Sequence, residues 1–272
     1  MKNYIQIEFQ NISQEQSEIL IARLSDIGFE GFEEYENGLK AFAILKGFDE
    51  ISLQNITTSL QLGYYKTIIE ETNWNHVWES NFNPVIVDDF VAIRAEFHQP
   101  IKDTRFEIII TPKMSFGTGH HATTYMMMQQ MKEIDFTNKT VFDFGTGTGV
   151  LAILAEKLGA KNVLAIDNDN WSIENAGENT KRNNCSVVEL RQTDTAKIDG
   201  RFDIVLANIN KNVIMDNLET ITIQLLRGGL LLLSGLQRED EEEILGKCKE
   251  QNLKLLSKIE KHNWLLLKLS CS

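Results

Sequence analysis

The sequence predicts a doubly wound α/β domain behind a smaller α+β unit, and three observations carry that expectation. From residue 140 onward, short apolar runs alternate with stretches of helical periodicity, as in a parallel sheet covered on both faces. The first of these runs passes through a glycine-rich turn straight into a helix, in "TVFDFGTGTGVLAI". Ahead of residue 71 the pattern differs: polar–apolar alternation, two helical stretches, and two strand-like runs around Asn37-Gly38.

The elements follow in order. Residues 4–9, "YIQIEF", alternate like a half-buried strand. Residues 14–27 place Ile19, Leu20, Leu24 and Ile27 at helical spacing, and Gly28 supplies a stop. "FEGFEEYENGLKAFAIL" predicts a hairpin, and 49–61 a second helix. Residues 71–84, "ETNWNHVWESNFNP", read as a connector that packs through Trp74 and Trp78, one helical turn apart. The predicted organisation is therefore a small unit over 1–70, a connector over 71–84 and the larger domain over 85–272. In that domain, 85–111 hold short strands. "TVFDF", "NVLAID", "VVEL", "FDIVLAN" and "GLLLLSG" then predict sheet strands, with helices at 149–158, 170–183 and 212–226. "LKLLSKIEKHNWLLLKL" predicts a closing antiparallel pair that turns at His262-Asn263.

Composition narrows the function. A chain of 272 residues, 42% hydrophobic, can bury a substantial core. No apolar run reaches the roughly 18 residues that span a bilayer, and the start of the chain lacks the apolar stretch of a secretory signal. A cytoplasmic location is the expectation. Cys185, Cys248 and Cys271 are too scattered for a disulfide framework or a metal knuckle. The net charge of −12 argues against direct nucleic-acid binding and for a small ligand or a basic protein partner.

Gly145, Gly147 and Gly149 fall where the first strand of the sheet gives way to a helix. Glycine lets the chain turn tightly and lets a ligand lie against the main chain, and the helix start offers free N–H groups. The spacing is GxGxG, whereas a dinucleotide site prefers GxGxxG, and no Gly-Lys-Ser/Thr follows to make a P-loop. Asp167, closing the next strand, is placed to accept both hydroxyls of an adenosine ribose. Together with Asp143 just before the loop, the spacing points to S-adenosylmethionine. Asn208, at the carboxyl end of the fourth strand, is expected in the same crevice, where its amide can orient a substrate amine.

"FGTGHHATT" at 116–124, followed by "DFGTGTGVLAI", "AIDND" and "VLANI", resembles the PrmA family, methyltransferases of the eleventh large-subunit ribosomal protein. The resemblance covers essentially the whole chain. It implies a Rossmann-like class I methyltransferase domain, with a mostly parallel sheet and an antiparallel C-terminal hairpin, behind a ferredoxin-like substrate-recognition domain. It places the family's cofactor contacts on Thr124, Gly145, Asp167 and Asn208, with Phe116, Thr118, Asp143 and Gly147 beside them, and the motif histidine on His121. The two Gly-Thr-Gly stretches then form two walls of one pocket, with Thr123 or Thr124 capping the next helix. Two departures stand out: Asn210, where the family more often carries an apolar residue, and the run Met126-Met127-Met128.

The implied reaction is methylation of lysine side chains and an N-terminal amine of that ribosomal protein. Asn208 is expected to orient the amine. His121 is a candidate proton acceptor, with a loop-ordering hydrogen bond as its other reading. Adjacent histidines diverge and no third ligand stands at a known spacing, so His120-His121 predicts no metal. The alternatives are a nucleic-acid amino-methyltransferase and a cofactor-binding module without catalysis. The first usually carries Asn/Asp-Pro-Pro-aromatic where this chain has Asn208-Ile209-Asn210-Lys211.

Overall fold

The computed structural model describes residues 4–69, 82–112 and 117–271. Trp74, Trp78 and most of the predicted connector, together with Phe116, lie outside those residues. The chain divides into two compact units, 1–81 and 82–272.

The first unit runs β1 (Tyr4–Gln10), α1 (Gln14–Ser25), β2 (Phe29–Tyr35), β3 (Gly38–Ile44), α2 (Glu50–Leu60) and β4 (Tyr65–Ile69). The period-2 pattern of β1 buries Ile5, Ile7 and Phe9 and leaves the residues between them half exposed. Ser13 and Gln16 form a reciprocal capping box that starts α1, and Asp49 caps α2 through Ile51 and Ser52 N–H. Asn37 takes a positive φ of 60° in the β2–β3 turn. The sheet is antiparallel throughout, in the order β2-β3-β1-β4, which is the ferredoxin-like arrangement. The sequence reading left out β4; its five residues carry too little apolar alternation to announce a strand.

The second unit opens with a three-stranded sheet of β5 (Val85–Val87), β6 (Val91–Ala95) and β7 (Phe106–Ile110), followed by α3 (Ala122–Met131). The main alternation then runs β8 (Thr140–Phe144), α4 (Val150–Lys157), β9 (Asn162–Asp167), α5 (Asn170–Arg182), β10 (Val188–Gln192), β11 (Phe202–Asn208), α6 (Lys211–Gln224) and β12 (Leu225–Gln237). It ends with α7 (Glu241–Glu250), β13 (Leu253–Lys261) and β14 (Trp264–Cys271). The seven-stranded sheet has the order β10-β9-β8-β11-β12-β14-β13. Its first five strands are parallel, and β14 pairs antiparallel with both neighbours. His262 and Asn263, both at positive φ, turn the final hairpin as expected.

From β8 the chain winds outward through β9 and β10, and from β11 the other way through β12. The direction reverses between β8 and β11, where open α/β sheets hold ligands at the carboxyl ends of their strands. The Met126–Met128 run lies wholly in the core, so those departures from the family pattern fill space under α3.

Candidate active site

The glycine loop opens directly at the end of β8. Gly145, Gly147 and Gly149 have φ values of 78°, 55° and 79°, where a side chain is strained. A Cβ on Gly145 would run into the Ile209 side chain, and one on Gly149 would sit 3.1 Å from Ala176 Cβ. The Gly145 and Thr146 N–H groups both donate to Ile166 O, at 3.0 and 2.9 Å, fastening the loop to β9. Asp167 ends that strand. Its Oδ2 accepts from Gly147 N–H at 2.9 Å and its Oδ1 from Asp169 N–H at 3.1 Å. The carboxylate is thus held in one orientation, and each oxygen keeps a further lone pair.

The second Gly-Thr-Gly segment is bonded to the first: Thr148 Oγ1 donates to Gly117 O at 2.7 Å. A Cβ on Gly117 would come within 2.8 Å of that hydroxyl oxygen, so the approach depends on glycine. The cap of α3 differs from expectation. His121 is the N-cap residue, its Nδ1 accepting from Thr123 N–H and lying 2.8 Å from Thr123 Oγ1. Thr123 and Thr124 are instead in the first turn, both buried. His120 turns away: its Nε2 donates to Asn83 O at 2.9 Å, leaving Nδ1 to accept from Thr118 Oγ1 at 3.1 Å. Thr118 thereby braces His120, and its side chain is not part of the cavity lining described below.

Asn208 closes β11. Its Nδ2 donates to Thr124 Oγ1 at 3.1 Å, while its Oδ1 is buried with no partner among the described residues. The backbone beyond it is packed against β12, with Ile209 N–H donating to Ser234 O and Gly235 lying directly on the Ile209 carbonyl. Asn210 caps α6 through Val213 N–H at 3.1 Å, which accounts for a polar residue at that position. Asp143 lies beneath the loop, almost fully buried. Thr146 Oγ1 donates to its Oδ2 at 2.6 Å, and its Oδ1 has no partner among the described residues. Burial, reinforced by the nearby Asp167 charge, pushes the Asp143 carboxyl up to about 7.

These elements enclose a cavity of about 810 Å³, within the range of sites for cofactor-sized ligands. Thr124, Gly145, Gly147, Asp167 and Asn208 all line it, as do Gly117 and His121. Asp169, Asp194 and Asp216 join Asp167 in the lining, and no lysine or arginine does among the described residues. The field inside therefore favours cations. Trp264 also lines the cavity, with its ring edge-on to His121 at 4.7 Å between centroids. Sequence reasoning missed it, because only the antiparallel return of β14 brings it beside α3.

The family described as "Ribosomal protein L11 methyltransferase (PrmA)" matches residues 7–271. The ribosomal protein L11 methyltransferase of Porphyromonas gingivalis is 40% identical over 260 residues, covering 92% of this chain and 89% of that one. Its counterpart in Chlorobaculum tepidum is 37% identical over 279 residues, covering 97% and 95%. The crystal structure of ribosomal protein L11 methylase from Lactobacillus delbrueckii subsp. bulgaricus superposes with a TM-score of 0.66 at 30% identity. It covers 70% of this chain and 100% of that one. A glycine loop, a strand-end acid and an upstream Gly-Thr-Gly wall around one cavity agree with these likenesses, and the chain belongs to the PrmA family of ribosomal protein L11 methyltransferases.

Proposed function

We propose that the cavity holds S-adenosylmethionine and that the protein transfers its methyl group to lysine side-chain and N-terminal amines of ribosomal protein L11, in the cytoplasm. The residues fit that cofactor. Glycines at 145 and 117 let the two walls pack where a Cβ would strike Ile209 and Thr148, the Asp167 carboxylate is held at the strand end, and Asn208 Oδ1 is an acceptor still without a donor. When bound, the cofactor supplies an electrophilic methyl group on a sulfonium.

The chain's own residues do the rest. Asp167 receives the ribose hydroxyls, and Gly145 and Gly147 let the ligand lie against the main chain. Thr124 belongs to the wall facing the amino-acid end, with Asp143 beneath it. Thr118 serves this wall by bracing His120, and His121 serves it by capping α3. The acidic lining draws in cations such as a protonated lysine, whose ordinary pKa is about 10.4. That proton leaves to water before attack, and Asn208 Oδ1 accepts from a remaining amine N–H to direct the lone pair. The edge-on rings of Trp264 and His121 form an aromatic wall on the acceptor side. The first unit presents the basic ribosomal protein, towards which a chain of net charge −12 is steered.

The unpartnered Asn208 Oδ1 carries this reading. It is tested by titrating the protein with S-adenosylmethionine, S-adenosylhomocysteine and NAD, then measuring methyl transfer to purified ribosomal protein L11. The adenosyl ligands are expected to bind and NAD is not. Asn208→Ala should lose about 100-fold in kcat while holding S-adenosylhomocysteine within about tenfold. A protein that binds neither adenosyl ligand, or an Asn208→Ala variant with full kcat, would sink the reading.

A further inference from the structure

One buried feature lies behind the cavity and takes no part in the scheme above. Helix α5 carries Asn175 and Asn179, with Asn183 following one turn on as its C-cap, and the first two are fully buried. Burying an amide is unfavourable unless its donors and acceptors are met, so three on one face call for partners. Asn183 meets both backbone groups of one strand residue: its Oδ1 accepts from Ile109 N–H at 3.0 Å and its Nδ2 donates to Ile109 O at 2.7 Å. One turn earlier, Asn179 Oδ1 accepts from Thr111 N–H at 2.7 Å. Ile109 and Thr111 present their backbone groups on the same edge, so the side-chain amides close the edge of β7 as a neighbouring strand would.

Asn179 does a second thing that Asn183 does not. Its Nδ2 donates to Thr148 O at 2.8 Å, inside the glycine loop. Asn175 Oδ1, 3.4 Å away, receives from the same amide and fixes which way it faces. Thr148 in turn donates through Oγ1 to Gly117 O. One chain of hydrogen bonds thus runs from the edge of β7 through Asn179 to the glycine loop and on to the opposite wall of the cavity. The middle position needs an acceptor towards Thr111 N–H and a donor towards Thr148 O on one short side chain, which the Asn179 amide supplies.

We infer that Asn179 is a positioning residue for cofactor binding: it sets the Thr148 carbonyl, and through it the spacing of the two cavity walls, against the rigid edge of β7. The inference rests on the cavity being the S-adenosylmethionine site. Asn183 bonds Ile109 twice and the Asn179 carbonyl once, at 2.8 Å, but makes no bond to the glycine loop.

The test compares Asn179→Asp, Asn179→Ala and Asn183→Ala by calorimetric titration with S-adenosylhomocysteine, thermal melting, and steady-state kinetics. Asn179→Asp keeps the acceptor for Thr111 but faces the Thr148 carbonyl with an oxygen, so its Kd should rise about tenfold. Asn179→Ala leaves that carbonyl without a donor and should move the same way, which covers a failure of the aspartate variant to fold. In both, KM for S-adenosylmethionine should rise with Kd while kcat at saturation stays within about twofold. Asn183→Ala should lower the melting temperature and leave Kd within about twofold. Equal loss of affinity in the Asn179 and Asn183 variants, or a lowered melting temperature with unchanged Kd at Asn179, would overturn the assignment. Wild-type protein that binds no adenosyl ligand would overturn it together with the cavity reading, so the two failures are distinguishable.

Discussion

Arg94 on β6 forms a fork-to-fork pair with Glu107 on β7, Nε to Oε1 at 2.8 Å and Nη2 to Oε2 at 2.9 Å. Its remaining Nη1 donates to the carbonyls of Ala95 and His98, and Glu107 Oε1 also accepts from Ile101 N–H. Arg94 is almost fully buried, so nearly all its donors are met by protein. The Arg94 guanidinium, followed by the Ile101 N–H, holds the Glu107 carboxyl below its ordinary value.

Removing the cation should therefore be costly. Arg94→Met is expected to destabilise the protein by about 2–3 kcal/mol at neutral pH, because it leaves a carboxylate without its partner. Glu107 has a lowered folded-state pKa, so its contribution is present above the ordinary carboxyl value and is lost as pH falls through the folded one. Urea unfolding of both proteins at pH 7 and in the acid range below 4.5 should show the gap closing on acidification. A gap independent of pH would mean that packing, and not the ion pair, accounts for the loss.

Gly235 controls the far end of the cavity through its backbone. It has a φ of 85°, and a Cβ there would collide with the Ile209 carbonyl. Gly235→Ala should displace the Asn208–Ile209 corner and lower kcat by about tenfold or more, with cofactor affinity reduced less. Single-turnover kinetics beside ligand titration separate the two. Equal damage to both quantities would show that the corner and the glycine loop shift as one.

Asp143 offers a pH signature of opposite sign. Its folded-state value is raised, to about 7 from an ordinary 3.8, chiefly by burial and next by the Asp167 charge. The unfolded chain therefore releases this proton first. The folded state is favoured below the ordinary value and loses ground as pH rises towards 7, on the order of 1 kcal/mol per pH unit. Asp143→Asn should remove that slope. Chemical unfolding of both proteins between pH 4 and 7 reads it directly, and parallel curves would place the titration elsewhere.

That the glycine loop and Asp167 share one cavity was legible in the chain because the signals are local. Three glycines at a strand–helix passage and an acid closing the next strand are dictated by backbone turning and ligand approach within one βαβ unit. Asn208 was legible for a related reason, since the carboxyl end of a strand faces the crevice wherever the fold is doubly wound. Other features required tertiary structure. Histidine is not among the preferred N-caps, so the hydroxyls of Thr123 and Thr124 looked better suited than the His121 imidazole. Asn179 and Asn183 resemble a solvated helix face until β7 is laid against them. Their spacing of one helical turn was the available signal, but spacing alone does not say whether a polar stripe meets water or a strand edge. Strand β4 is short and exposed, and its pairing with β1, more than its own residues, makes it a strand.

The strand order of the large sheet bears on how the protein is made. β14 is synthesised after β13, yet it lies between β12 and β13. As the nascent chain leaves its ribosome, the parallel half can assemble strand by strand, but β13 has no sheet neighbour until β14 follows and pairs with both it and β12. The same late pairing delivers Trp264 to the cavity beside His121. An enzyme that modifies a ribosomal protein thus completes its own cavity wall only after translation has passed nearly all of its sheet, so a partly made copy carries the glycine loop without the finished cavity.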